Sequence, residues 1–267
     1  MTQLKPAALA AAAALVAAFA SQPLLAQESK RANGNSEDAT KKIQAGAFSP
    51  RIFVRDEYRD NQDGSYSNTL VTLVEVPVGE QMGFRAEVPL TTRDPRTPGT
   101  DADFGLGDIT TRLSRTMLTG DGWAAVLGVE YIWDSATEDS LGAGRPTISP
   151  LLFGSVRVPS LNTILFPNIQ YYRSLDSDAA NPRESYTVIK PMFLTRLPNR
   201  FYTFVEPSIY VDHERNDRVG MNLGFQGGRV VKPQTIVNLR PGIGVHGDEL
   251  PQVFNWNFEV GFRYFFR

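Results

Sequence analysis

The sequence predicts an all-β chain, folded as a transmembrane antiparallel up-and-down β-barrel of about twelve strands behind a cleaved signal peptide. Three observations predict it: apolar residues recur with a period of two, short and long connections alternate, and the last segment carries a wall of aromatic side chains. Successive residues of a strand point to opposite faces, so each observation has a direct geometric meaning.

The alternation is strict in several runs of the 267 residues. Met82, Phe84, Ala86, Val88 and Leu90 oppose Gly83, Arg85, Glu87, Pro89 and Thr91. Val219, Met221, Leu223 and Phe225 oppose Gly220, Asn222, Gly224 and Gln226, and Val237 to Val245 alternates in the same way. From Arg51 onward no 3.6-residue period is sustained, and this pattern is a strand signal. Segments 51–58, 69–76 and 185–197 alternate less cleanly and leave their register open.

The connections fall into two classes. The short ones are VGEQ at 78–81, TGDG at 119–122, PSLN at 159–162, LPNR at 197–200 and VKPQ at 231–234. The longer ones are 59–68, 92–105, 134–147, 174–185, 213–218 and 247–253. Even strand number, tight turns at one end and long loops at the other are the layout of a bacterial outer-membrane barrel.

The segment FNWNFEVGFRYFFR places Phe254, Trp256, Phe258, Val260, Phe262, Tyr264 and Phe266 on one face and mostly polar residues on the other. Lipid is the solvent that accepts such a wall, and pairing of the last strand with the first leaves no open edge in hydrocarbon. Trp123 and Trp133 stand ten residues apart on one face of WAAVLGVEYIW. At ~3.3 Å per residue and a tilt near 40° they are separated by roughly 25 Å along the membrane normal, the height of a lipid-facing band with an aromatic at each girdle.

Residues 1–26 read as a signal peptide, with Lys5 in the n-region, Ala7–Phe19 as the h-region and cleavage expected after Ala26. Residues 27–50 read as a flexible periplasmic N-terminal segment, and 51–267 as the barrel. The expected location is the outer membrane of a Gram-negative bacterium. No later run approaches the ~18 apolar residues of a membrane helix. The absence of cysteine excludes a disulfide framework and thiol chemistry, and a net charge of −2 argues against nucleic acid.

If the apolar set faces lipid, the other set faces inward. The candidate lumen-lining residues along a substrate path are Arg85, Glu87, Asp108, Arg112, Glu130, Arg157, Glu206, Arg240, Glu259 and Arg263. Five of each sign predict no strong ion selectivity. The outer loops carry Asp60, Asp63, Asp101, Asp103, Glu138, Asp139, Asp176, Asp178, Asp248 and Glu249, a solvated surface with divalent cations shared with lipopolysaccharide as the alternative. Pro150, Pro167, Pro191, Pro207 and Pro241 fall inside predicted strands, mostly in the outward set. Proline removes a ladder hydrogen bond, so bulges or inward water are expected opposite them. They mark a weakened wall, a candidate lateral exit for an apolar substrate.

Gly105-Leu106-Gly107-Asp108-Ile109 opens the fourth strand after a long loop, and IKPMFL and VEPSIY carry central prolines. With the tight turns, these stretches resemble the phenol-degradation (MetA-pathway) family of outer-membrane transporters over residues 50–267. The resemblance implies passive passage of small hydrophobic or aromatic compounds and supplies no catalytic residues; no cofactor is expected. The aromatic last strand is similar to the signal read by the barrel-assembly machinery; such signals usually end on the aromatic itself, and here Arg267 follows Phe266. Two rivals stand beside this reading. One is a lipid-acting hydrolase, which needs a hydroxyl within reach of His213 or His246. The other is a plugged structural barrel.

Overall fold

The computed structural model describes residues 48–176 and 183–266. The expected signal peptide, residues 27–47 of the expected N-terminal segment and Asp178 lie outside the described residues. The strands run, in chain order, β1 (Arg51–Asn61), β2 (Tyr66–Val78), β3 (Met82–Asp94), β4 (Asp103–Leu106), β5 (Thr110–Gly120), β6 (Trp123–Ile132) and β7 (Thr147–Val158). They continue as β8 (Thr163–Ser174), β9 (Ser185–Arg196), β10 (Phe201–Asp212), β11 (Arg218–Lys232), β12 (Thr235–His246) and β13 (Phe254–Phe265).

All are antiparallel to their neighbours, and the sheet closes. β1 pairs on one side with β2 and on the other with β13, so Arg51 stands between Glu75 and Phe265. β3 pairs with β4 over Leu90–Arg93 and with β5 over Met82–Glu87. β4 and β5 are therefore two pieces of one stave, and the barrel has twelve staves. Closure gives every strand a partner on each edge, which a sheet surrounded by hydrocarbon requires.

The tight turns all lie at one end. They reverse the chain through left-handed residues, Gly79 and Gly122 at the first two and Asn162 and Asn199 at the next two, where glycine and asparagine carry the least steric penalty. The longer connections lie at the opposite end. The first of these, 62–65, is shorter than the sequence suggests because β1 and β2 continue to Asn61 and Tyr66.

The outer face carries the apolar set: Leu127, Leu152, Phe225, Leu239 and Val260 are each close to half exposed. The aromatic wall of β13 has one exception. The β1–β13 register shifts between Asp60 and Asn61, so that Trp256 faces Asp60 and Phe254 faces Asn61. The bulge turns Phe254 inward, where its ring is 8% exposed and Arg59 lies over it at 5.2 Å. One extra residue in a strand re-aims a side chain in this way.

No bulge accompanies the five wall prolines. The ladder lapses locally with its register unchanged: beside Pro150 and beside Pro167 across β7–β8, between Pro191 and Pro207 across β9–β10, and beside Pro241 across β11–β12. Each proline keeps a continuous ladder on its other side, Pro167 pairing with Pro191 and Pro241 with Phe258. The register shifts of the sheet occur elsewhere, near Asn61, Met117, Met221 and Val231.

The inward face is not polar throughout. At the tight-turn end Val126, Ile164, Phe166, Leu194, Tyr202, Val230, Ile236 and Phe265 form a buried cluster, with Phe48, Phe153, Met192 and Phe204 packed against it. Phe48 precedes β1, and its ring occupies the space beside Gly83 where any side chain would collide with it. Residues 48–50 are thus part of the barrel rather than of a flexible segment, and the N–H of Phe266 donates to the Pro50 carbonyl.

Candidate functional site: the barrel lumen

The lumen has three zones. The long-loop mouth comes first. Arg85 and Glu87 of β3 face inward, so Arg93 shares their side of the strand, and it donates to the Ser140 carbonyl. Leu141 lies against the inner side of Gly105 and Gly107. The loop 133–146 therefore folds over the lumen side of β3 and β4. Loop 247–253 does the same against β11, where Leu250 and Val253 approach Gly220 and the Gln252 carbonyl accepts from Asn222. Arg145 and Glu184 join two of the long loops at 2.6 Å. Tyr172 and Tyr186, stacked at 4.6 Å, line a pocket of about 320 Å³ in this zone.

Asp108 belongs to the mouth and not to the lumen wall. It sits at the break between β4 and β5, and its carboxylate accepts the N–H groups of Ser135, Ala136 and Ala143. It pins the infolded loop, so the expectation that it lines the passage is corrected. The reason is local: Gly107-Asp108-Ile109 leaves the sheet, and strand parity stops applying there. The outer acidic residues are partly paired as well. Asp60 meets Arg96 at 3.0 Å, Asp63 meets Arg93 at 2.6 Å, and Glu249 meets Arg218. Burial tends to raise the pKa of Asp63, but hydrogen bonds from Ser65 and the charge of Arg93 outweigh it and hold the carboxyl below its ordinary range.

The middle zone is a cavity of about 540 Å³ lined by charge. Arg85, Glu87, Arg112, Glu130, Glu206, Arg240 and Arg263 all line it. Glu259, 2% exposed, lies behind them and meets both Arg55 (3.3 Å) and Arg240 (3.4 Å). Arg55 also meets Glu87 at 3.2 Å, Arg240 meets Glu206 at 3.2 Å, and Lys190 meets Glu206 at 3.1 Å. Arg112 and Glu130 form a close pair, and Gln170 donates to the other oxygen of Glu130. Each carboxylate thus has at least one guanidinium or ammonium, the condition under which buried charges are tolerated. Arg157 has inward parity but sits at the tight-turn rim, exposed and outside this cavity.

The expected charge balance does not hold. Arg51, Arg55, Arg59 and Lys190 also line the cavity, and with Arg85, Arg112, Arg240 and Arg263 they make eight cations. Against them stand Glu57, Glu87, Glu130 and Glu206 in the lining, with Glu75 and Glu259 paired to lining arginines. Among the described residues this is eight against six. The unexpected residues come from β1, β2 and β9, whose alternation is too weak to fix a register from sequence.

The third zone is the aromatic floor. Phe53, Phe153, Phe166, Phe204, Met192 and Tyr202 bound the cavity from below, continuous with the buried cluster of the tight-turn end.

Of the two histidines, His213 does have a hydroxyl neighbour. Its Nε2 lies 2.9 Å from the Thr187 Oγ1, and its Nδ1 lies 2.6 Å from an Asp217 oxygen. Thr187 is a secondary alcohol inside the ladders of β9 with both β8 and β10. Its backbone lies within these ladders, and Asp217 is 72% exposed.

No family model and no curated protein matches the chain. Solved structures do. The chain is similar to the COG4313 outer membrane channel from Pseudomonas putida F1 (9% identity, TM-score 0.66), with 88% of this chain and 100% of that one covered. It is also similar to the NanC porin (11% identity, TM-score 0.57), covering 81% of this chain and 100% of that one. The KdgM porin in complex with disordered oligogalacturonate gives 10% identity and a TM-score of 0.56, with 81% and 99% covered. At such identities the likeness concerns the fold, a closed antiparallel barrel of the outer-membrane type.

Proposed function

We propose that the protein is an outer-membrane channel that passes small aromatic or hydrophobic compounds passively through a narrow, gated lumen. The observation that carries this reading is the lumen itself: a charged cavity that narrows onto an aromatic floor, inside a barrel coated with apolar side chains. A hydrophobic constriction excludes water and ions by dewetting while an apolar ring can pass it. The neighbours of this fold, described as channels and porins, support the channel class. The tight turns would face the periplasm, and β13 would present the aromatic strand read by the barrel-assembly machinery. Refolded protein in a planar bilayer should carry little steady ion current, with a heat-modifiable gel band reporting the folded barrel. Porin-depleted Gram-negative cells expressing it should take up toluene faster than cells without it. A large steady current would make it a hydrophilic pore. Silence together with unchanged uptake would make it a plugged structural barrel.

The gaps in the wall favour a sideways route for the most apolar cargo. Ladder pairing lapses at Pro167 across β7–β8 and between Pro191 and Pro207 across β9–β10, beside the floor residues Phe166, Met192 and Phe204. Replacing Pro167 and Pro207 with valine restores two N–H donors to these gaps and should slow toluene uptake by several-fold, with folding unchanged. Equal uptake by the double variant rejects the lateral exit.

A further inference from the structure

We propose that Arg263, together with Arg51 and Arg85, binds the carboxylate of a small aromatic acid whose ring rests on the aromatic floor. The inference rests on the channel reading above and names a substrate class for it.

Arg263 differs from the other lumen cations. Arg51 has Glu75, Arg55 has Glu87 and Glu259, Arg59 has Glu57, Arg85 has Glu87, Arg112 has Glu130, Arg240 has Glu206 and Glu259, and Lys190 has Glu206. Among the described residues Arg263 has no carboxylate within ion-pair distance. A half-buried guanidinium without a counter-charge carries an uncompensated desolvation cost, which an anion from solution would remove.

The geometry around it suits one kind of anion. Arg263 stands opposite Phe53 in the β1–β13 ladder, with its guanidinium 4.5 Å from the centre of that ring. Arg51 lies two residues before Phe53 on the same face, and Arg85 stands opposite Glu75, itself the partner of Arg51. Glu75 and Glu87 hold the outer nitrogens of Arg51 and Arg85, while among the described residues no carboxylate holds those of Arg263. The outer nitrogens of Arg263 are thus the donors left for an anion, with Arg51 and Arg85 adding positive charge beside it. A carboxylate is planar and meets a guanidinium fork in a bidentate fashion. Just beneath, Phe153, Phe166 and Phe204 offer a surface on which an aromatic ring, but not a sugar or a short aliphatic acid, gains contact.

The test is isothermal titration calorimetry of the refolded full-length protein in detergent micelles, with sodium benzoate as the probe and acetate and benzyl alcohol as half-probes. Benzoate should bind saturably, and each half-probe at least about tenfold more weakly, the scale of one lost charged hydrogen bond. Arg263→Gln should weaken benzoate about tenfold, and Arg263→Lys by less. Should Arg263→Gln fail to give the heat-modifiable band, Phe53→Leu serves, removing the ring under the guanidinium and weakening benzoate but not acetate. Benzoate binding no tighter than acetate, or untouched in a folded Arg263→Gln barrel, overturns the site. Binding of benzoate without uptake of aromatic compounds by cells would reject the transport reading and keep the site. Uptake of neutral aromatics without benzoate binding would do the reverse.

Discussion

Arg55→Met should lower the stability of the folded barrel by about 2–3 kcal/mol, read as an earlier midpoint in urea and a lower temperature of conversion of the heat-modifiable band. Arg55 is a cation that two other staves share. It meets Glu87 from β3 and Glu259 from β13, and Glu259 stands directly opposite Glu57 in the ladder. Without Arg55, two carboxylates face each other across the β1–β13 seam with less cation between them. Breaking a buried pair commonly costs about 3–5 kcal/mol because one charge is left uncompensated. The lower figure follows because Glu87 retains Arg85, Glu259 retains Arg240 and Glu57 retains Arg59. The loss should be largely recovered in Arg55→Met/Glu259→Gln, where Glu57 no longer faces a second carboxylate. A double variant as unstable as the sum of the singles would show that Arg55 acts through packing of its stem and not through charge.

The sequence made the barrel legible where one face met lipid and the other met charge. β3 and β12 alternate strictly, and Leu90 of the first and Val237, Leu239, Ile243 and Val245 of the second are among the exposed apolar residues of the structure. The tight turns announced themselves through Gly79, Gly122, Asn162 and Asn199. Legibility failed where a strand faced two different solvents on its inner side. β1, RIFVRDEYRDN, puts Arg51, Phe53, Arg55, Glu57 and Arg59 on one face, four charges and a buried ring. Its other parity carries Asp56 and Asp60, so no binary pattern emerges. Arg55, the centre of the ion network, was hidden by that mixture. β6 is apolar on both faces near its start because Val126 belongs to the buried cluster while Leu127 faces outward. Apolar residues of both parities at the tight-turn ends of β6, β8 and β12 were the available sign of a filled floor. Phe254 and Asp108 escaped for a different reason: a bulge and a break in the stave suspend parity locally, and neither leaves a mark that alternation can detect.

Phe48→Ala/Phe204→Ala should convert a nearly silent barrel into one with steady ion current. Phe48 reaches the floor from outside the strands, in the space left by Gly83, and Phe204 meets Phe166 with ring centres 6.3 Å apart. Removing both rings opens a polar cavity of about 540 Å³ toward the tight-turn end, and a widened constriction admits water where a narrow apolar one does not. Truncating a buried phenylalanine costs roughly 3–5 kcal/mol in a closed core. The cost here should be smaller because water can enter from the cavity, and the ladders of the closed sheet do not depend on either ring. The outward Phe258→Ala serves as the control, since it removes an equal ring from the other side of the wall and should leave the current unchanged. The eight-to-six cation excess of the lumen adds a second readout: the current that appears should favour anions over cations, because a narrow passage lined by one sign in excess concentrates the opposite ion. Equal permeability would place the residual charge of the lumen out of reach of the ion path, and a folded double variant as silent as the parent would place the barrier at the infolded loops of the mouth, with the floor already open.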